Sequence, residues 1–262
     1  MKMIGRRIMG RLANQQWLAF GIELVIVVLG VFIGIQVSNW NQERLDSRQA
    51  ASFAERLKAD LREEDWGYQL QIAYNREVLA NAERALGALA GTAPMPDEAL
   101  LVSAYRATQY KQRLRRRSTY DELISTGTIG LIRNQTLRDT AMRLYNIPTI
   151  DNVVREGMQS RYREAFRMEL PNDVQRALAK HCGDRYIEIG DYAAITGGLD
   201  YPCSTGLSEQ AISQAAKTLR AAPNLVPLLR LRVADIETRL VDLTTNNRTI
   251  LDNLRAIAAE KP

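Results

Sequence analysis

The stretch from Trp17 to Val37, WLAFGIELVIVVLGVFIGIQV, holds one charged residue, Glu23, in 21 positions. A helix rises about 1.5 Å per residue, so these residues cover the roughly 30 Å hydrocarbon layer of a bilayer. A soluble protein buries a helix this apolar only inside a large core, and nothing nearby supplies one. The expectation is a single transmembrane helix over residues 17–38, after a cytoplasmic tail at 1–16 and before one helical domain at 39–262.

The charges give that helix a direction. Lys2, Arg6, Arg7 and Arg11 precede the span, and residues 1–40 balance at +3 once Glu23 is counted. The remaining 31 basic and 29 acidic residues balance at only +2. The basic character therefore reports membrane orientation more than an anionic partner such as nucleic acid. By the positive-inside rule the N-terminus is cytoplasmic and the main domain periplasmic, at a bacterial inner membrane. A cleaved signal peptide shares the basic start, but this apolar run exceeds the usual 7–15 residues and IQVSNWNQ holds no small-residue cleavage site. Trp17 and Trp40 bracket the span where interfacial aromatics belong.

Inside the span, Glu23, Val27, Gly30, Gly34 and Val37 step by fours and threes and so share one helical stripe. Gly30 and Gly34 form a GxxxG pair, which lets a second helix approach closely, although glycine is common in membrane helices anyway. Glu23 needs a partner, a proton or a reach to the head groups. Homo-oligomerisation, or a membrane-protein partner, is the expectation this stripe carries beside contact with the bilayer.

FGIELVIVVLGVFIGIQVSNWNQER resembles the opening of an uncharacterised bacterial family of single-pass membrane proteins, whose apolar segment opens on Gly-Glu and closes on an Asn-Trp-Asn-Glu-like run. Here Ile22 splits the Gly-Glu pair and Gln42 intrudes before Glu43. STYDELISTGTIGLIRNQTLRDTAMRLYN is similar to that family's middle segment. The resemblance implies topology and supplies no chemistry.

Beyond the span the pattern is all-α. Helix is expected to continue to about Ala90, with a heptad-like seam at Ile72, Asn75, Leu79, Ala82, Leu86 and Leu89. Gly91, Pro94 and Pro96 end it. A second helix should run from Asp97 into the arginine run. Ser118 with Asp121, or Thr119 with Glu122, resembles a capping box for a short helix closed by Gly127. Asn134 is placed to cap a long helix over 135–170, kinked at Pro148, and Ser208 to cap another that stops before Pro223. From Leu229 to Ile257 apolar residues step 4, 3, 4, 3 with one interruption, Asn247. The whole reads as an elongated extracytoplasmic bundle with coiled-coil-like packing. If the first and last seams pack antiparallel with Asn75 beside Asn247, Leu79 falls near Leu243, Ile72 near Ile250, and the C-terminus near Leu61.

Two features compete for a site. KQRLRRR places Lys111, Arg113, Arg115, Arg116 and Arg117 in seven residues. Such a run suits anion contact with lipid or a surface polyanion, or is a solvated helix end whose cations suit the helix dipole. The glycine-rich segment 182–203 is bounded by Cys182 and Cys203, the two cysteines of the chain. In an oxidising compartment they form a disulfide around an irregular loop; a metal site using His181 is the weaker alternative, because adjacent ligands seldom converge on one ion.

With one histidine, and with no nucleotide loop or Ser-His-Asp set, the usual catalytic inventory is nearly empty. Carboxylate chemistry stays open among 30 acidic residues. No cofactor is implied. The expected function is a membrane-anchored interaction or scaffolding module. Ligand sensing is the alternative, weakened by a tail too short for an output domain, and an enzyme of unknown class is the third.

Overall fold

The structure, a computed structural model, describes the backbone of residues 4–260 and the side chains of residues 21–260. Trp17 and the four cations that carry the orientation argument lie outside the described side chains. Among the described residues all regular structure is helical. Contacts divide the chain after Phe53 into two units.

The first unit is formed by the opening of α1 (Ile4–Leu89). Every large apolar side chain from Ile22 to Val37 is exposed, Ile26 to 63%. Mean hydropathy reaches 2.2 over 18 residues with none of that window buried. By length and composition this stretch can cross a bilayer. Nothing lies within 4 Å of where a Cβ would stand on Gly30 or Gly34, and Glu23 makes no hydrogen bond or ion pair among the described residues.

The second unit gathers the rest of α1 with α2 (Asp97–Ala107), α3 (Ser118–Ser125), α4 (Gln135–Asn146), α5 (Thr149–Met158), α6 (Arg161–Glu169), α7 (Asn172–Cys182), α8 (Glu209–Ala221), α9 (Leu225–Val241) and α10 (Arg248–Ala259). Its main core joins Ala82 and Ala85 of α1 to Leu100 and Leu101 of α2, Phe166 of α6, Leu178 of α7 and Leu229 of α9. Burying one such leucine is worth about 1.5–3 kcal/mol.

Local signals set several boundaries as expected. Gly91 takes φ 74° at the end of α1, where Thr92 N donates to Gly87 O at 2.9 Å, and Gly127 takes φ 69° after α3. Asn134 accepts from Leu137 N at 3.0 Å, and Ser208 from Ala211 N at 3.3 Å. Other boundaries differ. Residues 135–170 form three helices, α4 to α6, because Ile147 is extended ahead of Pro148 and the chain breaks again at Gln159 and Ser160. The second helix stops at Ala107, short of the arginine run. α3 has no side-chain cap of its own; Thr119 N donates instead to Asp60 Oδ2 of α1 at 3.1 Å.

The last helices do run antiparallel to α1. Ile236 packs with Tyr74 and Val78, Tyr68 Oη donates to Leu243 O at 3.1 Å, and Glu260 pairs with Lys58 Nζ at 3.0 Å. The asparagines are not partners, however. Asn75 Nδ2 donates to Gln71 O at 2.8 Å, one turn back. Asn247 Nδ2 donates to Asp242 O at 2.8 Å, across a π-helical turn at Asp242–Asn246 that separates α9 from α10. Each amide is satisfied locally, so neither needs the other. Leu79 shares a cluster with Leu240 and Ile236, one turn from the expected Leu243.

Candidate functional site

Asp60, Glu63 and Glu64 stand on one face of α1 at i, i+3 and i+4, and Asp60 and Glu64 are buried. Two carboxylates enter a folded interior only with cations or several donors around them. The arginine run supplies both. Glu64, with no exposed surface, accepts from Arg116 N at 2.7 Å and from Arg115 Nε at 3.0 Å. Arg113 Nη2 stands 2.8 Å from Glu64 Oε1 as an ion pair, though not aligned as a hydrogen bond, and Arg113 Nε has no partner. Asp60 takes Arg116 Nε at 3.2 Å besides the amide of Thr119. Lys111 Nζ meets Asp184 at 3.2 Å, and Arg117 meets Asp121 one turn ahead in α3. The five cations named for anion contact thus spend their charge on carboxylates of this chain, and the run is a strap across α1 where a helix end was expected.

That strap needs a groove, and Gly67 provides it. The Arg113 guanidinium lies so close over Gly67 that any Cβ there would collide with it. Arg116 O accepts from Tyr145 Oη at 2.5 Å, and burial, with Glu64 and Asp60 nearby, pushes the Tyr145 phenol up and keeps it a donor. The hydroxyl of Tyr68, likewise raised by burial to about 12, stays neutral against Leu243 O.

The disulfide loop is held to the same helix. Cys182 and Cys203 are bonded, with Cα atoms 5.5 Å apart. Buried Arg106 donates to Cys182 O at 3.2 Å and Tyr201 O at 2.8 Å, fixing both ends of the loop. Glu77 of α1 gathers three backbone amides of the loop, Gly197 at 2.5 Å, Leu199 at 2.8 Å and Asp200 at 3.0 Å. Trp66 Nε1 donates to Asp191 O at 3.1 Å, and Tyr192 Oη to Asp65 at 2.7 Å. Among the described residues no group of three or more His, Cys, Asp or Glu side chains is placed to hold a metal ion.

Between strap and loop lies a cleft of about 470 Å³. Trp66 and Leu70 line it from α1, Arg113 and Leu114 from the strap, Tyr186 and Ile189 from the loop. Leu114 is 93% exposed and Tyr186 88%, two large side chains left in water beside a cleft whose cations are paired with carboxylates of this chain. The ionised groups along the strap face carboxylates of this chain. Sequence reasoning missed Asp60, Glu64, Gly67 and Glu77; the acidic triplet on an otherwise apolar helix face was the available signal. No family model, curated protein or solved structure matches this chain.

Proposed function

We propose that this chain is a single-pass protein of the bacterial inner membrane, with a cytoplasmic N-terminus and a periplasmic helical module, residues 39–262, that binds other proteins. The uncovered apolar stretch Ile22–Val37 carries the reading. A helix with that much exposed apolar surface is stable only in lipid or against another helix. The disulfide supports an oxidising side, because thiols of cytosolic proteins are held reduced. The cleft with exposed Leu114 and Tyr186 supports protein binding over catalysis. Gly30 and Gly34, free of any Cβ, offer the close approach a partner helix or second copy would use, with Glu23 on the same stripe. The antiparallel association of α1 with the 225–259 region we read as coiled-coil-like.

Membrane fractions washed in alkaline carbonate should retain the protein. Protease added to spheroplasts should digest residues beyond the span and leave a small N-terminal fragment. A domain protected until the membrane is lysed reverses the orientation, and release by carbonate removes the anchor.

A further inference from the structure

A second cleft, between α6 and α7, differs from the strap in what its cations meet. It encloses about 340 Å³. Asn172, Gln175 and Arg176 line it from one face of α7, at i, i+3 and i+4. Phe166 and Arg167 line it from α6, and Tyr105 from α2. Gln175 closes the turn between the two helices by donating to Arg167 O at 2.8 Å and Leu170 O at 2.7 Å. Among the described residues no Asp or Glu lines the cleft, although Glu164, Glu169 and Asp173 belong to the same two helices. The guanidiniums of Arg167 and Arg176 make no hydrogen bond and no ion pair there, and the Tyr105 hydroxyl makes no hydrogen bond.

A third cation stands beside these two. Arg163, half-buried, donates to Thr108 O at 3.0 Å and lies 4.9 Å from the centre of the Tyr110 ring, again without a carboxylate. Burial lowers its guanidinium and Arg167 lowers it further, so the two positive charges are close neighbours. Burial and then Asp184 raise the Tyr105 phenol while Arg163 and Arg167 pull the other way, so the hydroxyl stays a donor within reach of both charges. Asp184 itself is taken up by Tyr74 Oη at 2.7 Å and Lys111 Nζ at 3.2 Å. A cleft walled by one sign of charge concentrates its counter-ion.

We propose that this cleft binds a small organic phosphate, with its phosphomonoester between Arg167, Arg176 and the Tyr105 hydroxyl and its organic body against the rings of Tyr105 and Phe166. The proposal goes beyond the protein-interaction reading and does not rest on it. Guanidinium forks match phosphate oxygens two at a time. A phosphomonoester brings about −1.5 to −2 charges at neutral pH to Arg163, Arg167 and Arg176, where a carboxylate brings only one. Clefts for small molecules run from roughly 300 to 1,000 Å³, so bare phosphate would leave most of this one unfilled. The two rings, with centroids 6.4 Å apart, give the remainder an aromatic wall.

Calorimetric titration of the full chain in uncharged detergent with phenyl phosphate tests this. Saturable binding is expected, about tenfold or more tighter than for inorganic phosphate, which lacks the ring, or benzoate, which lacks the second charge. Arg167→Gln and Arg176→Gln, both at exposed positions, should each weaken it about tenfold or more. Tyr105→Phe, which keeps the ring, should weaken it about two- to tenfold. Arg143→Gln, exposed on α4 and away from the cleft, should bind as the parent does. No saturable binding, inorganic phosphate or benzoate held as tightly as phenyl phosphate, or unchanged affinity in Arg167→Gln and Arg176→Gln overturns the proposal. An equal loss in Arg143→Gln marks a general effect of charge and overturns it too. Vesicles of phosphatidylcholine doped with phosphatidate separate the two sources of such a group. Competition with phenyl phosphate assigns the site to a lipid headgroup, and no competition assigns it to a soluble ligand; both support the phosphomonoester site.

Discussion

Glu64→Ala tests the strap most directly. The side chain has no exposed surface, accepts from Arg115 Nε and Arg116 N at 3.0 and 2.7 Å, and stands 2.8 Å from Arg113 Nη2 as an ion pair. Removing it leaves two arginines, each 12% exposed, without their counter-ion. Breaking a buried ion pair from one side costs about 3–5 kcal/mol. Three hydrogen bonds or ion contacts to charged groups, at about 1.5 kcal/mol each, give about 4.5 kcal/mol and fall in that range. For a unit of about 200 residues each kcal/mol moves Tm by about 2–4 °C, so the loss should be about 6–20 °C. Calorimetry of the full chain in detergent reads it, because far-ultraviolet dichroism would be dominated by helix that survives in the micelle. Glu63→Ala is the control: its carboxylate stands 3.8 Å from Arg116 with both groups partly in solvent, a contact worth at most about 1 kcal/mol. A Glu64→Ala shift no larger than that of Glu63→Ala would refute the strap as a source of stability.

Three further outcomes follow from the same contacts. Gly67→Ala should destabilise by about 1–3 kcal/mol through displacement of Arg113, yet become neutral or stabilising by up to about 1 kcal/mol in an Arg113→Ala background, where only the helix propensity of alanine remains; additive melting shifts in the double variant would contradict this. Glu98 is held below its ordinary value of 4.5, first by the Thr205 hydroxyl and then by the Thr205 amide. A carboxylate with a depressed folded pKa stabilises fully above the unfolded value and loses that contribution as pH falls through the folded one. The melting deficit of Glu98→Gln should therefore be largest at neutral pH and shrink below pH 4.5; a deficit constant across that range would rule the hydrogen bonds out as its cause. Reducing the Cys182–Cys203 bond, which closes a separation of 21 residues, should cost about 3 kcal/mol and lower Tm accordingly. Non-reducing mass mapping from the native compartment checks the linkage, and an unchanged Tm after verified reduction would make the loop's other contacts sufficient.

What the sequence determined by itself was local or compositional. The apolar span is visible because lipid demands about 20 consecutive apolar residues, whatever the rest of the chain does. Asn134, Ser208, Gly91 and Gly127 act on backbone groups within four residues, so their roles follow without knowing the fold. Two cysteines allow one intrachain pairing. The antiparallel return of 225–259 along α1 was legible from matching apolar seams. The tertiary structure decided which polar groups meet. Arg115 lies 51 residues from Glu64 and Thr119 59 residues from Asp60, and no periodicity links such pairs. The arginine run reads as a helix end because its charges hide a period-two alternation of burial in an irregular segment that carries only one apolar residue, Leu114. Burial of Glu64 and the capping of α3 by α1 each depend on faces brought together by folding. A buried charge gains its partners only once the apolar surfaces around it have closed, and that closure is a property of the whole unit rather than of any one segment.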